Sequence, residues 1–276
     1  MRFQLAAFAD EADGALAKQI TAMKENGIDY LEIRGVDGKN ISNLTNEEAK
    51  EIKKRLDDAG LGVWSLGSPY GKIGIEDDFA PHLDLYCHGL ELAELLGAKH
   101  IRLFSFYIPQ GKVPEDYRNA VIERMAQFDE KAKGYDVILC HENEKGIYGE
   151  NAARCLEIHK ALPNIKAVFD PANFIQSGQD TKEAWKMLVP YVEYMHIKDA
   201  LSDGLIVPAG KGEGEFPYLL SQYQGKVLTL EPHLTVFDGL AELEQDGHKS
   251  QVGGYQYPSA RVAFDAAVMA LKELIK

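Results

Sequence analysis

The sequence predicts an α/β chain folded as a single (β/α)8 TIM barrel, on three observations. Short β-forming runs alternate strictly with helical periods along all 276 residues. There are eight such units, and a strict alternation implies parallel strands joined by right-handed crossovers. Nothing between the units reads as a linker, a charge block or a low-complexity stretch, and a chain of this length suits one eight-unit barrel. A single domain over residues 1–276 is therefore expected. The competing arrangement, a doubly wound open sheet, would carry a GxGxxG turn after its first strand, whereas the first loop here reads ADEADGA.

The units follow in order. FQLAAF (3–8) reads as the first strand, and residues 10–26 as its helix, with Leu16, Ile20 and Met23 on one face and Gly27 as the stop. YLEIR (30–34) is the second strand. The helix of residues 45–60 starts on Thr45 with Glu48 three residues on, which is capping-box spacing, and ends on Gly60. GVWSL (62–66) is the third strand, followed by a long helix over 79–96 and the Gly97 stop. HIRLF (100–104) is the fourth strand, and 114–133 its helix, with Val121, Met125 and Phe128 on one face. VILCHE (137–142) precedes a helix over 150–162, and IKAVFD (165–170) precedes TKEAWKMLVPYV (181–192), a helix with a proline near its end. YMHI (194–197) leads to a short helix over 214–224. KVLTLE (226–231) is the eighth strand, and residues 258–275 form the closing helix.

Composition narrows the function classes. Hydrophobic residues make up 45% and charged residues 26%, enough for a core and ordinary for a globular protein. The formal charge of −13 argues against a nucleic-acid partner, whose phosphates are bound by Lys and Arg, and against an anionic membrane surface. No apolar run approaches the roughly 18 residues that span a bilayer. Cys87, Cys140 and Cys155 give an odd count without a CxxC pair, and the N-terminus turns acidic without a cleavage pattern. A cytoplasmic protein is expected.

The chemistry is concentrated in four stretches: VILCHENE (137–144), AVFDPAN (167–173), YMHIKDA (194–200) and LTLEPHL (228–234). Each is a run of β-formers that ends in a metal-type ligand, namely Glu142, Asp170, His196 and Glu231. Strand C-terminal ends open onto the active face of such a barrel. Oxygen and nitrogen donors without thiolate suit one divalent ion, Mn²⁺, Mg²⁺, Co²⁺ or Zn²⁺. Such an ion would also relieve the mutual repulsion of three crowded carboxylates. Taken singly, each residue has a plainer explanation: a solvated loop acid for Glu142, a core histidine for His196, a helix cap before Pro171 for Asp170, a solvent-facing strand end for Glu231. Four at equivalent places in consecutive units favour a site.

Here the chain resembles the xylose-isomerase-like sugar isomerases and epimerases, over essentially its whole length and most specifically in HENE, FDPAN, HIKDA with PAGKGEGEF, and LEPH. The resemblance implies that Glu142, Asp170, His196 and Glu231 hold one divalent metal ion, and that Glu142 and Glu231 act as acid and base on opposite substrate faces. Two positions depart from the epimerases: Asn173 stands where they carry histidine, and Lys198 where they carry a substrate-binding arginine. A metal chelating a carbonyl and a neighbouring hydroxyl acidifies the adjacent C–H, and the resulting enediolate leads to epimerisation, isomerisation or, by loss of a β-hydroxyl, dehydration. The expected function is thus a divalent-metal-dependent sugar isomerase or epimerase acting on a small sugar or polyol. A dehydratase or lyase on the same barrel is the alternative. An AP-endonuclease-like hydrolase is disfavoured by charge and by Asn173, and a non-catalytic sugar-binding barrel by the presence of all four ligands. The resemblance also suggests a homo-oligomer.

Further candidates surround the mouth. Lys198, Asn173, His233, Arg102 and Glu32 are the expected substrate contacts. Arg34 is expected to pair structurally with Glu32, Trp64 to pack in the core, and His141 to point away from Glu142 because strand side chains alternate. Ser68 and Ser105 are weaker candidates. PAGKGEGEF (208–216), with Lys211, lacks a Walker spacing and reads as a flexible βα loop with a possible lid role. GGYQYP (253–258) reads as a turn whose tyrosines close over substrate or touch a subunit.

Overall fold

The computed structural model describes residues 3–237 and 251–276. The barrel is built from β1 (Gln4–Ala7), β2 (Tyr30–Ile33), β3 (Gly62–Leu66), β4 (His100–Leu103), β5 (Ile138–Glu142), β6 (Lys166–Phe169), β7 (Val192–Ile197) and β8 (Val227–Leu230). All eight pair in parallel, and the ring closes where Gln4–Ala7 run beside Val227–Leu230. The surrounding helices are α1 (Leu16–Glu25), α2 (Asn46–Ala59), α3 (Ala80–Leu96), α4 (Arg118–Ala132), α5 (Ala152–Ala161), α6 (Pro171–Gln176), α7 (Thr181–Leu188), α8 (Phe216–Gln222) and α9 (Ala260–Leu274). The expected barrel is the observed one.

Local chemistry explains the boundaries. The Thr45 and Glu48 side chains exchange hydrogen bonds with each other's backbone N–H, and Gly60 closes α2 in the left-handed conformation at φ 74°. Where the structure differs from expectation, a tight turn replaces the first part of a helix. Residues 10–15 are not α-helical; Ala9–Glu11 form a 3₁₀ turn and α1 starts only at Leu16, because Asp10 and Glu11 turn inward to meet Arg34. Similarly, Pro114–Tyr117 and Tyr148–Glu150 are 3₁₀ turns ahead of α4 and α5. The short α6 follows the helix-cap reading of Asp170 before Pro171, although it is no separate unit of the strand–helix alternation. Two small hairpins, Gly35–Val36 with Lys39–Asn40 and Asp199–Ala200 with Ile206–Val207, also decorate the loops.

Alternation along each strand creates two cores. Outward-facing residues pack between strands and helices, where Trp185 lies edge-on to Phe169 at 5.0 Å. Each such fully buried apolar side chain contributes roughly 1.5–3 kcal/mol. Inward-facing Ala6, Cys140, Val168, Tyr194 and Val227, with Tyr30 and Trp64 against them, plug the barrel from below. Trp64 stacks on His100 at 4.0 Å, so it belongs to this plug, as expected. Next inward toward the C-terminal rim come Phe8, Glu32, Arg102, Glu142, Asp170 and His196, and on β8 Thr229 and then Glu231. The apolar plug is thus a platform for a polar layer one step nearer the C-terminal rim.

Candidate active site

All four expected ligands meet. Ligand atoms of Glu142, Asp170, His196 and Glu231 lie within 4.8 Å of one another, and all four residues are buried. His196 Nδ1 is 2.9 Å from Glu142 Oε1, 3.1 Å from Glu231 Oε2 and 3.8 Å from Asp170 Oδ2. Asp170 serves two masters. Its Oδ1 accepts from the Asn173 N–H and caps α6 at 2.9 Å, the plainer role anticipated for it. Its Oδ2 is buried without a well-aligned hydrogen bond and points into the cluster, with Lys198 Nζ at 2.9 Å. Three carboxylates and an imidazole, with one carboxylate oxygen left over, fit a hard or borderline divalent cation.

The expected substrate contacts divide. Lys198, two residues past His196 on the same face, reaches Asp170 at 2.9 Å and Glu231 at 3.2 Å. Asn173 Nδ2 donates to the Asn143 carbonyl at 2.9 Å and approaches Glu142 Oε1 at 3.3 Å. Arg102 Nη1 spans the two glutamates, at 3.0 Å from Glu142 Oε2 and 3.5 Å from Glu231 Oε1. His233 lies 3.7 Å from Glu231 and 3.3 Å from Glu11, and its backbone takes the unusual φ of 46°. Glu32 is placed differently. It is fully buried below His196, its oxygens engaged by the imidazole Nε2 at 3.2 Å and the Tyr194 hydroxyl at 2.8 Å.

Arg34 does not pair with Glu32. Its guanidinium forks onto Asp10 at 2.8 and 3.1 Å, touches Glu11 at 3.3 Å and donates to Glu231 Oε1 at 3.0 Å. Alternation explains the swap: Arg34 reaches past the strand end, where the turn after β1 presents its acids. Glu11, Glu231 and His233 also lie within ligand distance of one another. The Arg34 guanidinium already supplies the positive charge between those two carboxylates, so this group reads as an ion-pair network. Phe8 lies beneath both guanidinium groups, 4.4 Å from Arg34 and 4.9 Å from Arg102.

Asp10, Glu11, Lys72 and Glu144 were not anticipated. Lys72 and Glu144 pair at 3.2 Å, with Lys72 also over the Phe104 ring at 4.4 Å. The signals were present: Asp10 and Glu11 follow β1 as Glu231 follows β8, and Glu144 is two past Glu142. His141 does point outward, to Ser105 Oγ at 2.9 Å. Ser68 bonds the Arg102 carbonyl. PAGKGEGEF is not a free loop: the Asp199 carboxylate accepts from the N–H groups of Gly210, Gly212 and Gly214 at 2.8–2.9 Å. In 253–258, Tyr255 and Tyr257 stack on each other with centroids 6.3 Å apart.

The electrostatics split the two glutamates. Burial pushes the Glu142 carboxyl above its usual range against the pull of His196 and Arg102. Burial acts on Glu231 too, but Lys198 and His196 outweigh it and hold that carboxyl well below the usual range. Burial raises Glu11 to about 8 despite Arg34.

A family model described as xylose isomerase-like TIM barrel matches residues 20–233. The chain belongs to that family. Among solved structures, this xylose isomerase-like barrel is similar to an L-ribulose 3-epimerase at 19% identity and TM-score 0.74, over 100% of this chain and 96% of the other. It is similar to a probable 3-DHS dehydratase, AsbF, from Bacillus anthracis at 16% identity and TM-score 0.75, over 98% of each chain. A third is the IolI protein, solved with a zinc atom, at 14% identity and TM-score 0.75, over 99% of this chain and 98% of that one. At these identities the likeness is one of fold. No curated protein matches the sequence. Among the described residues, no helix is long and apolar enough to cross a membrane.

Proposed function

We propose that this barrel is a divalent-metal-dependent isomerase or epimerase of a small sugar or polyol. The observation that carries the reading is the pair Glu142 and Glu231, which flank one histidine nitrogen and share one arginine while their surroundings push their acidities apart. Oppositely tuned carboxylates around one point are what acid–base chemistry at a C–H bond needs. Glu142, Asp170, His196 and Glu231 would hold the ion, which when bound polarises a substrate carbonyl and acidifies the neighbouring C–H.

The protein's own groups do the rest. Glu231, kept ionised by Lys198 and His196, takes the proton from the substrate carbon, leaving an enediolate. The resemblance assigns the acid and base to this pair, the environments favour Glu231 as the base, and the return reaction exchanges the two roles. Glu142, whose burial favours its protonated form more than the surroundings of Glu231 do, delivers a proton to the opposite face for epimerisation or to the neighbouring carbon for isomerisation. Arg102 stabilises the negative charge that moves between the glutamates, and Lys198 offers an Nζ donor to a substrate oxygen. A fold shared with a probable dehydratase keeps loss of a β-hydroxyl from the same intermediate as the second outcome.

The test is metal analysis of the purified protein with solvent-deuterium exchange into a panel of ketoses. The expected result is about one divalent ion per chain, deuterium entering a substrate, and at least a 100-fold loss of exchange in Glu142→Gln and in Glu231→Gln. Metal without exchange but with release of water from a keto-sugar would move the chemistry to dehydration. A chain that binds no divalent ion would sink the reading.

A further inference from the structure

We infer that Glu32 is a positioning residue: it accepts the Nε2–H of His196 and so fixes the tautomer that leaves Nδ1 free for a cation. This rests on the metal-dependent reading of the site. The sequence places Glu32 among the substrate contacts, yet it is fully buried against His196 with both oxygens engaged. Oε2 lies 3.2 Å from His196 Nε2, and Oε1 accepts from the Tyr194 hydroxyl at 2.8 Å. The opposite ring nitrogen faces the other ligands, with Glu142 at 2.9 Å and Glu231 at 3.1 Å. The imidazole therefore has one edge toward the ligand cluster and one toward a dedicated carboxylate. A metal-binding histidine held by a carboxylate through its second nitrogen is oriented and made more basic.

The fold spends local regularity on this contact. Between β2 and β3 the register slips, so that Leu31 faces Val63 but Glu32 faces Ser65, skipping Trp64. Such a bulge re-aims a side chain. Here it brings the Ser65 hydroxyl to 3.3 Å from the Tyr194 oxygen, completing a buried chain Ser65–Tyr194–Glu32–His196. Phe8 lies edge-on to the imidazole at 5.3 Å and closes the side not held by hydrogen bonds. A buried carboxylate is costly unless paired. The Tyr194 and His196 contacts are the short-range partners that answer this cost.

Two measurements decide the matter. First, in wild-type protein loaded with Zn²⁺ or Mg²⁺, the ¹⁵N shifts of His196 should show a protonated Nε2 and a metal-bound Nδ1. A protonated Nδ1, or an ion on Nε2, overturns the inference without any variant. Second, Mn²⁺ titrations by calorimetry should give Glu32→Gln a Kd about 10–100-fold weaker than wild type. Tyr194→Phe, which keeps the ring and removes the hydroxyl donor, should weaken Mn²⁺ binding in the same direction by a smaller factor. Affinity within twofold of wild type in a folded Glu32→Gln protein would reduce Glu32 to a structural acid. Wild-type protein that binds no divalent ion would instead defeat the site reading itself, so the two failures are distinguishable.

Discussion

At the scale of the residue, the two glutamates share one guanidinium. Arg102 Nη1 lies 3.0 Å from Glu142 and 3.5 Å from Glu231, and the residue is buried. A cation that close favours the ionised carboxylates, typically by about 1–3 pKa units. Its removal in Arg102→Met should therefore raise the carboxyl pKa values, and the acid limb of the pH profile for deuterium exchange should move to higher pH by about that amount. An unmoved limb with a raised KM would make Arg102 a substrate contact only. The residue types and their strand-end places were legible in the sequence, because alternation assigns a face to each side chain. Their pairing was not. Arg34 was expected beside Glu32, two positions away on its own strand, but a side chain two along points to the next layer, and its partner came from β1 instead.

At the scale of the element, the loop after β7 shows what a Gly-rich stretch can be for. Asp199 gathers the N–H groups of Gly210, Gly212 and Gly214 around one carboxylate. A Cβ on Gly212 would fall 2.3 Å from the Ala200 carbonyl oxygen and one on Gly214 2.7 Å from Asp199, so both must be glycine for the backbone to come this close. The motif read as a flexible segment because glycine allows flexibility; here it allows close approach. Replacing one acceptor oxygen in Asp199→Asn should cost roughly 2 kcal/mol or more. In the same variant, the Gly210 and Gly212 amides should lose protection in hydrogen exchange, while Mn²⁺ binding is retained. Unchanged exchange at those amides would show that the loop is held by other contacts. Capped helices such as α2 were readable to the residue, whereas the 3₁₀ turns before α1, α4 and α5 were not. The turn before α1 is held by Arg34, a partner on the next strand rather than in its own segment.

At the scale of the whole molecule, buried histidines outside the site couple the fold to acid. His159 on α5 is buried, bonds the Ile165 carbonyl through Nδ1 at 3.0 Å and stacks on Tyr191 at 5.2 Å. Burial lowers its pKa from 6.5 to about 4. Above pH 6.5 both folded and unfolded chains hold it neutral, so it contributes no pH dependence. Between pH 6.5 and 4 the unfolded chain takes a proton that the folded chain refuses, and stability falls as pH falls, by on the order of 3 kcal/mol at most. His159→Gln, which keeps a donor for Ile165, should flatten the fall in urea midpoint between pH 6.5 and 4 relative to wild type. Equal slopes in the two proteins would contradict this. The comparison isolates His159, since buried carboxylates such as Glu11, whose pKa is raised to about 8, act with the opposite sign and are common to both.

The sequence by itself determined the barrel, its eight units, and the four strand ends that carry Glu142, Asp170, His196 and Glu231. These follow from period, caps and the rule that strand C-termini share one rim, all of which are local or repeat with the fold. Only the tertiary structure decided which charges meet. It set Arg34 on Asp10, Glu11 and Glu231, spanned the glutamates with Arg102, and sank Glu32 beneath His196. Ion-pair partners across a closed barrel lie far apart in sequence, 197 residues for Arg34 and Glu231. Their choice depends on ring closure, side-chain reach and a one-residue slip in strand register, none of which is written in any single segment.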